Sequence, residues 1–142
     1  MKGFTLIELI LAISIIAILF GLSTMNLLHA QNSTTVTTVE ETLISDLKSQ
    51  QTKAMNGTDS GGSFGIHFSS DSTYTLFQGT SYDPSSGSNS PITIDAITFS
   101  GNDVVFSSIN GETTATTITV AHTNGLETKT IQLNKYGAVI VD

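Results

Sequence analysis

Lys2-Gly3-Phe4-Thr5-Leu6-Ile7-Glu8 opens an apolar run that continues to Leu22. Phe4 to Leu22 is 19 residues, and Glu8 is the only charge among them. At ~1.5 Å of rise per residue the run makes a helix of roughly 28 Å, close to the ~30 Å hydrocarbon core of a bilayer. Its Leu, Ile and Phe residues spread around every side of that helix. Apolar residues on all faces mark a membrane span or a deeply buried helix, not a surface one. The residues predict that the chain enters a membrane here.

Glu8 is the anomaly in that run. A lone carboxylate costs about 2.5–3.5 kcal/mol at the centre of a bilayer on insertion scales, and less near an edge. An anchor alone would be better served by Leu or Ile. Intramembrane acids usually have a partner, so a cation is expected. Lys2 lies six positions upstream, which is not an i,i+3 or i,i+4 helical neighbour.

The string G-F-T-L-I-E before a long apolar run resembles the class III signal of type IV prepilins and pseudopilins. In that family a short basic leader ending in Gly is removed by a membrane-embedded prepilin peptidase. The new N-terminal residue, usually Phe, is then N-methylated, and a Glu stands fifth from it. The resemblance implies cleavage between Gly3 and Phe4, with methylation of Phe4. It also implies that Glu8 neutralises the terminal amine of a neighbouring subunit during filament assembly. Two plainer readings compete. An ordinary secretory signal would have a single Lys2 as its basic region, a Glu opening its apolar region, and only Leu28-His29-Ala30 as a cleavage site, a poor fit on each count. A plain single-span anchor would leave Glu8 to snorkel to the interface.

Composition fits a small exported module. The chain has 142 residues, and the part beyond the apolar run suits one domain. It contains no Cys, so disulfides neither staple the fold nor report the compartment. Five Lys and Arg residues stand against twelve acids, for a net charge of −7. Lys2 is the only Lys before Lys48, so the positive-inside rule leaves the short end in the cytoplasm and everything after Leu22 outside.

Ser23 to Thr35 is a polar continuation rich in Ser and Thr, where a helix is expected to bend or loosen. From Val36 to Met55 the pattern turns amphipathic. Val36, Val39, Leu43, Leu47 and Ala54, with Ile44 to one side, form a stripe opposite Glu41, Ser45, Lys48, Ser49 and Thr52. That predicts a helix with one buried face, stopped by Asn56-Gly57. The segment also resembles the helix preceding the sheet in GspH- and FimT-type minor pseudopilins, where L-x-x-D-L-R-x-A-R-x-x-A sequences recur. Leu43, Asp46, Leu47 and Ala54 match that pattern. Lys48 and Gln51 stand where Arg is usual, and Gln50 where Ala is usual.

Beyond Gly57 the chain reads as short strands. Phe64, Ile66 and Phe68 alternate, and Thr73 to Gln78 is rich in β-formers. Gly79 to Pro91 reads as a loop. Strands are expected over Ile92 to Phe99 and Val104 to Ile109. Thr116 to His122 and Leu126 to Leu133 flank Asn124-Gly125, a strong hairpin signal. A turn at Asn134 to Gly137 leads into Ala138 to Val141. The predicted fold class is α+β: a long N-terminal helix, membrane-spanning in its first half and amphipathic in its second, then a small antiparallel β-domain built as a sandwich or two small sheets. The segments are a leader over 1–3, a transmembrane or filament-core helix over 4–22, a stalk over 23–56 and a globular domain over 57–142. The ending I-Q-L-N-K-Y-G-A-V-I-V-D resembles the closing hairpin of the GspH/FimT group.

Catalytic chemistry finds little purchase. His29, His67 and His122 are far apart and in no metal-binding spacing. His67, between Ile66 and Phe68, points to the opposite strand face, where solvation is expected. Ser69-Ser70-Asp71 beside it lacks a nucleophile elbow. Asp71, Asp83, Asp95 and Asp103 do not form an EF-hand loop. The family resemblance admits an irregular calcium site, which the residues do not locate. No catalytic residue, metal ligand or cofactor is nominated. Some FimT-like pilins bind DNA, which needs clustered Lys or Arg. Here there is no Arg, and Lys129 and Lys135 offer only a small basic spot against a negative background.

Together these readings imply a structural protein. The resemblance makes it a minor pilin or pseudopilin of a type IV pilus or type II secretion system, seated first in the inner membrane with its C-terminal domain outside. Its implied partners are other pilin subunits, the prepilin peptidase and an inner-membrane assembly platform. A DNA-binding minor pilin is the alternative, and a membrane-tethered enzyme is the weaker third.

Overall fold

A computed structural model describes residues 3, 5–57, 62–69 and 72–141, with the side chains of 23–26, 28 and 29 outside the description. One helix, α1 (Leu6–Asn56), is followed by eight strands: β1 (Phe64–Phe68), β2 (Thr73–Gln78), β3 (Ser90–Thr93), β4 (Ile97–Ser100), β5 (Val104–Phe106), β6 (Thr116–His122), β7 (Thr128–Leu133) and β8 (Val139–Val141). The chain divides into two compact units, Met1–Thr34 and Thr35–Asp142.

In the first unit every described apolar side chain of the run is exposed, from Leu6 at 75% to Ile15 at 51%. Among the described residues no helix is long and apolar enough to cross a membrane. The transmembrane segment expected over 4–22 is therefore not met as a described span. Phe4 and the side chains of 23–26 lie outside the described set, and Leu6 to Leu22 rises only roughly 25 Å against a ~30 Å hydrocarbon core. The loosening expected over 23–35 is also absent from the backbone, which stays helical throughout. Thr34 shows how a hydroxyl is accommodated there, donating to Ala30 O one turn back at 2.8 Å instead of opening the helix.

The second unit holds two four-stranded antiparallel sheets, in the orders β3-β2-β1-β5 and β4-β6-β7-β8. Of the two expected β-architectures, this is the pair of small sheets. The stretch 92–99 is not one strand. It ends in the first sheet at Thr93 and resumes in the second at Ile97, turning at Ala96 with φ 62°. A left-handed residue breaks strand continuity, which apolar content alone does not reveal. The strand expected to reach Ile109 stops at Phe106, because Ser107 opens a turn in which its N–H donates to Glu112 O and its carbonyl accepts from the Gly111 N–H. The Asn124-Gly125 hairpin forms as expected, with Gly125 at φ 71° and β6 paired with β7 from Thr116↔Leu133 to Ala121↔Thr128.

The core forms where the α1 stripe meets the sheets. Val36, Val39, Leu43, Leu47 and Ala54 are all buried, as their spacing predicts, together with Ile66, Tyr74, Val104, Phe106, Ile118, Val120 and Ile131. Phe68, Tyr74 and Phe99 form an aromatic cluster whose closest pair, Tyr74 and Phe99, meets edge to face at 5.2 Å. Two polar side chains join the stripe unannounced, Glu40 and Gln50 at 4% and 2% exposure.

The other face of the first sheet carries a smaller cluster. Phe77 is buried, and Tyr82 from the following loop lies edge-on to it at 5.7 Å. The Tyr82 ring also stacks on His67 at 3.9 Å, with 5° between the planes. His67 Nδ1 meets Asp103 Oδ1 at 2.8 Å. The solvated histidine expected at 67 is thus half-covered and partnered, because a loop tyrosine folds over a strand face that the alternation leaves to water. Gly65 makes room: a Cβ there would strike the Phe77 ring and Val104 O.

Candidate functional site

The helix start, Gly3 to Ile15, is where sequence concentrates unusual chemistry. Phe4 lies outside the described residues, and Gly3 is exposed ahead of the helix. α1 begins at Leu6, which makes Thr5 the N-cap and Glu8 the third helical residue. The two close a reciprocal pair. Thr5 Oγ1 accepts from the Glu8 N–H at 3.3 Å, and Glu8 Oε2 accepts from the Thr5 N–H at 3.2 Å. The Thr5 hydroxyl also donates to Glu8 Oε2 at 3.1 Å. This capping box satisfies backbone donors that have no partner within a helix. The negative carboxylate also complements the positive end of the helix dipole.

Glu8 is therefore held in a defined place by its own chain. It shares one side of the helix with Ile7, Leu11, Ala12 and Ile15, which line an almost wholly apolar groove around it. Ser14, the other polar residue nearby, is satisfied internally by donating to Ile10 O at 2.8 Å. The result is one fixed anion on an otherwise greasy surface. Such an arrangement suits pairing with a single cation once the helix is surrounded by apolar neighbours.

Sequence reasoning named Glu8 and missed Thr5. The signal was present, since T-x-x-E before an apolar run is the capping-box pattern. The candidates for a basic spot are not brought together. Lys129 lies near the start of β7, paired with Val120, and Lys135 lies past its other end in the turn to β8. Lys135 lies instead over the Tyr136 ring at 4.7 Å. Among the described residues no group of three or more His, Asp or Glu could hold a metal ion.

Residues 1–24 match the prokaryotic N-terminal methylation motif. The fold resembles the minor pseudopilin EpsH from the type 2 secretion system of Vibrio cholerae, with a TM-score of 0.55 over 75% of this chain and 95% of that one. The chain carries that N-terminal methylation motif ahead of a pseudopilin-like fold. A second structure of EpsH gives a TM-score of 0.57 over 78% of this chain and 97% of that one. The type IV minor pilin FimU of Pseudomonas aeruginosa gives 0.55 over 72% and 88%. Identities are 10% for both EpsH structures and 15% for FimU, so these likenesses concern the pseudopilin fold alone. No curated protein sequence matches the chain. The solved structures sharing this fold are named as a minor pseudopilin and a type IV minor pilin.

Proposed function

We propose that the chain is a minor pilin or pseudopilin, cut between Gly3 and Phe4, methylated at Phe4, and assembled through its N-terminal helix into a pilus or pseudopilus. Glu8 carries this reading. An acid on an apolar helix is a liability to a lone subunit, and it becomes an asset when a neighbour brings an amine into the same dry interface. Cleavage at Gly3-Phe4 creates such an amine four residues before Glu8. The capping box supports the reading, because it fixes the carboxylate before any neighbour arrives.

Before assembly the run Phe4 to Leu22 holds the subunit in the inner membrane, with the second unit outside. The exposure of every described apolar residue from Leu6 to Leu22 supports this, since such a surface demands a non-aqueous environment. Prepilin peptidase and an assembly platform are the partners this route requires. N-terminal sequencing with mass analysis of the native protein tests the reading: N-methylated Phe4 as the first residue is the expected result, and a chain starting at Met1 overturns it. Protease added outside spheroplasts should remove the second unit.

A further inference from the structure

Gln50 sits in the buried stripe of α1, with Leu47 and Ala54 as its apolar neighbours one turn to either side. It is 2% exposed, yet its side-chain Oε1 has no hydrogen-bond partner among the described residues. An unpaired buried acceptor is unfavourable, and a leucine at this position would bury its surface without that penalty. The core alone gives no reason for a glutamine here.

The reason lies in what the side chain borders. Gln50 lines an open cleft of about 290 Å³, just under the ~300–1,000 Å³ of small-molecule sites. Lys53, one turn further along α1, lines the same cleft. Phe64 of β1 and Leu76 of β2 give it an apolar wall, and Ser88 and Ser90 add hydroxyls from the segment that leads into β3. That segment is pinned by Asn89 Nδ2, which donates to Asp83 O at 2.7 Å, so the cleft is formed before any ligand arrives.

The lining selects a chemistry. Gln50 Oε1 only accepts, and so calls for an N–H or an O–H. Lys53 supplies a positive charge and calls for an anion. Phe64 and Leu76 call for a hydrocarbon group. A bare inorganic anion brings Gln50 acceptors where it needs a donor, and a plain hydrocarbon answers neither polar group. Gln50 and Lys53 are i,i+3 neighbours, whose Cβ atoms stand ~5–6 Å apart on a helix surface. The last residue of a peptide carries its N–H and its carboxylate on one carbon, which suits so close a pair, and its side chain supplies the apolar part.

We propose that this cleft binds the C-terminal residue of a peptide. The residue's N–H meets Gln50 Oε1, its carboxylate meets the Lys53 ammonium, and an apolar side chain lies against Phe64 and Leu76. All these groups belong to the second unit, so the inference goes beyond the filament reading and does not rest on it.

The test adds N-acetyl-leucine to the full-length protein in detergent micelles and follows the NMR shift of the Gln50 side-chain amide. Saturable binding with a Kd on the order of 1 mM is expected. N-acetyl-leucinamide keeps the N–H and loses the charge, while sulfate keeps the charge and loses the N–H. Each should bind at least about tenfold more weakly. Lys53→Met, at an exposed position, should weaken N-acetyl-leucine binding at least about tenfold with the melting temperature unchanged. Gln50→Leu should abolish binding while keeping or raising the melting temperature. A tetrapeptide of three alanines and a terminal leucine should bind at least as tightly as N-acetyl-leucine. No saturable shift up to about 20 mM leaves only water for Gln50 and overturns the site. Equal affinity for acid and amide, undiminished binding by Lys53→Met, or a tetrapeptide at least about tenfold weaker also overturns the proposal. None of these outcomes bears on processing at Phe4, so the filament reading stands or falls separately.

Discussion

Tyr74 donates its hydroxyl to Asp46 Oδ2 at 2.6 Å, joining β2 to the amphipathic half of α1. Tyr74 is wholly buried, and burial, followed by the bond to Asp46 and the Asp46 charge, pushes its hydroxyl well above the usual tyrosine range. The neutral phenol is thus the form the fold requires. Tyr74→Phe leaves the Asp46 carboxylate without that donor and should destabilise the second unit by about 1–3 kcal/mol in chemical denaturation. The pH dependence has a definite sign. A group whose pKa is raised on folding lends stability that is full below its unfolded value, about 10, and is lost as pH rises beyond it. Wild-type stability should fall above pH ~10, and Tyr74→Phe should flatten that fall.

Gly65 lies under the Phe77 ring and against Val104 O, with no room for a Cβ. Gly65→Ala should destabilise by about 1–3 kcal/mol through forced shifts in the first sheet. Because Tyr82 sits on Phe77, the same variant should increase proteolytic nicking in the loop 79–89. Unchanged melting and nicking would contradict the tight contact.

Gln51 holds two turns that the chain reaches 60 and 85 residues later, at Gly111 and Tyr136. Gln51→Ala removes both bonds and leaves two carbonyls to water, a loss of about 1–3 kcal/mol. Gly137, at φ 73°, would drive a Cβ into the Gln51 amide, so Gly137→Ala should be at least as damaging. A double variant no worse than the poorer single one would show that the two act as a unit, and additive losses would count against the shared clamp.

Thr5→Val keeps the shape of the N-cap and deletes its oxygen. The first turn of α1 should weaken by about 0.5–2 kcal/mol, read as faster amide exchange at Leu6 to Leu9 in detergent micelles. Thr5→Ser should restore protection.

Glu8→Leu removes charge and cap together and should leave the protein in the membrane fraction yet poorly incorporated into fibres. Glu8→Gln separates the two functions, since a glutamine still closes the capping box but brings no charge. If Glu8→Gln incorporates as well as wild type, the pairing with a neighbour's Phe4 amine is wrong. A bulky residue at Gly3 should block processing, visible as an unshifted band.

Legibility followed distance along the chain. The α1 stripe, the stop at Asn56-Gly57 and the Asn124-Gly125 hairpin are written in residues a few positions apart, and each was readable. Glu8 was readable as an anomaly because one charge stands alone in an apolar run. Thr5 was readable too, three positions before Glu8, in the T-x-x-E pattern of a capping box. The switch between sheets at Ala96 was harder to read, because Ile92, Ile94, Ile97 and Phe99 keep the stretch rich in β-formers, and only Asp95 and a change in the phase of the alternation mark the break.

By itself the amino-acid order determined the helix, its two kinds of surface, the strand-rich remainder and the prepilin-like opening, since periodicity and turn chemistry act between near neighbours. Only tertiary structure decided that Tyr82 covers His67, that Gln51 gathers two distant turns, and that Gln50 is buried beside a cleft. Those facts depend on which groups the fold brings within a few ångströms after dozens of intervening residues, and hydrogen bonds and steric contact carry no trace of that meeting in the local sequence.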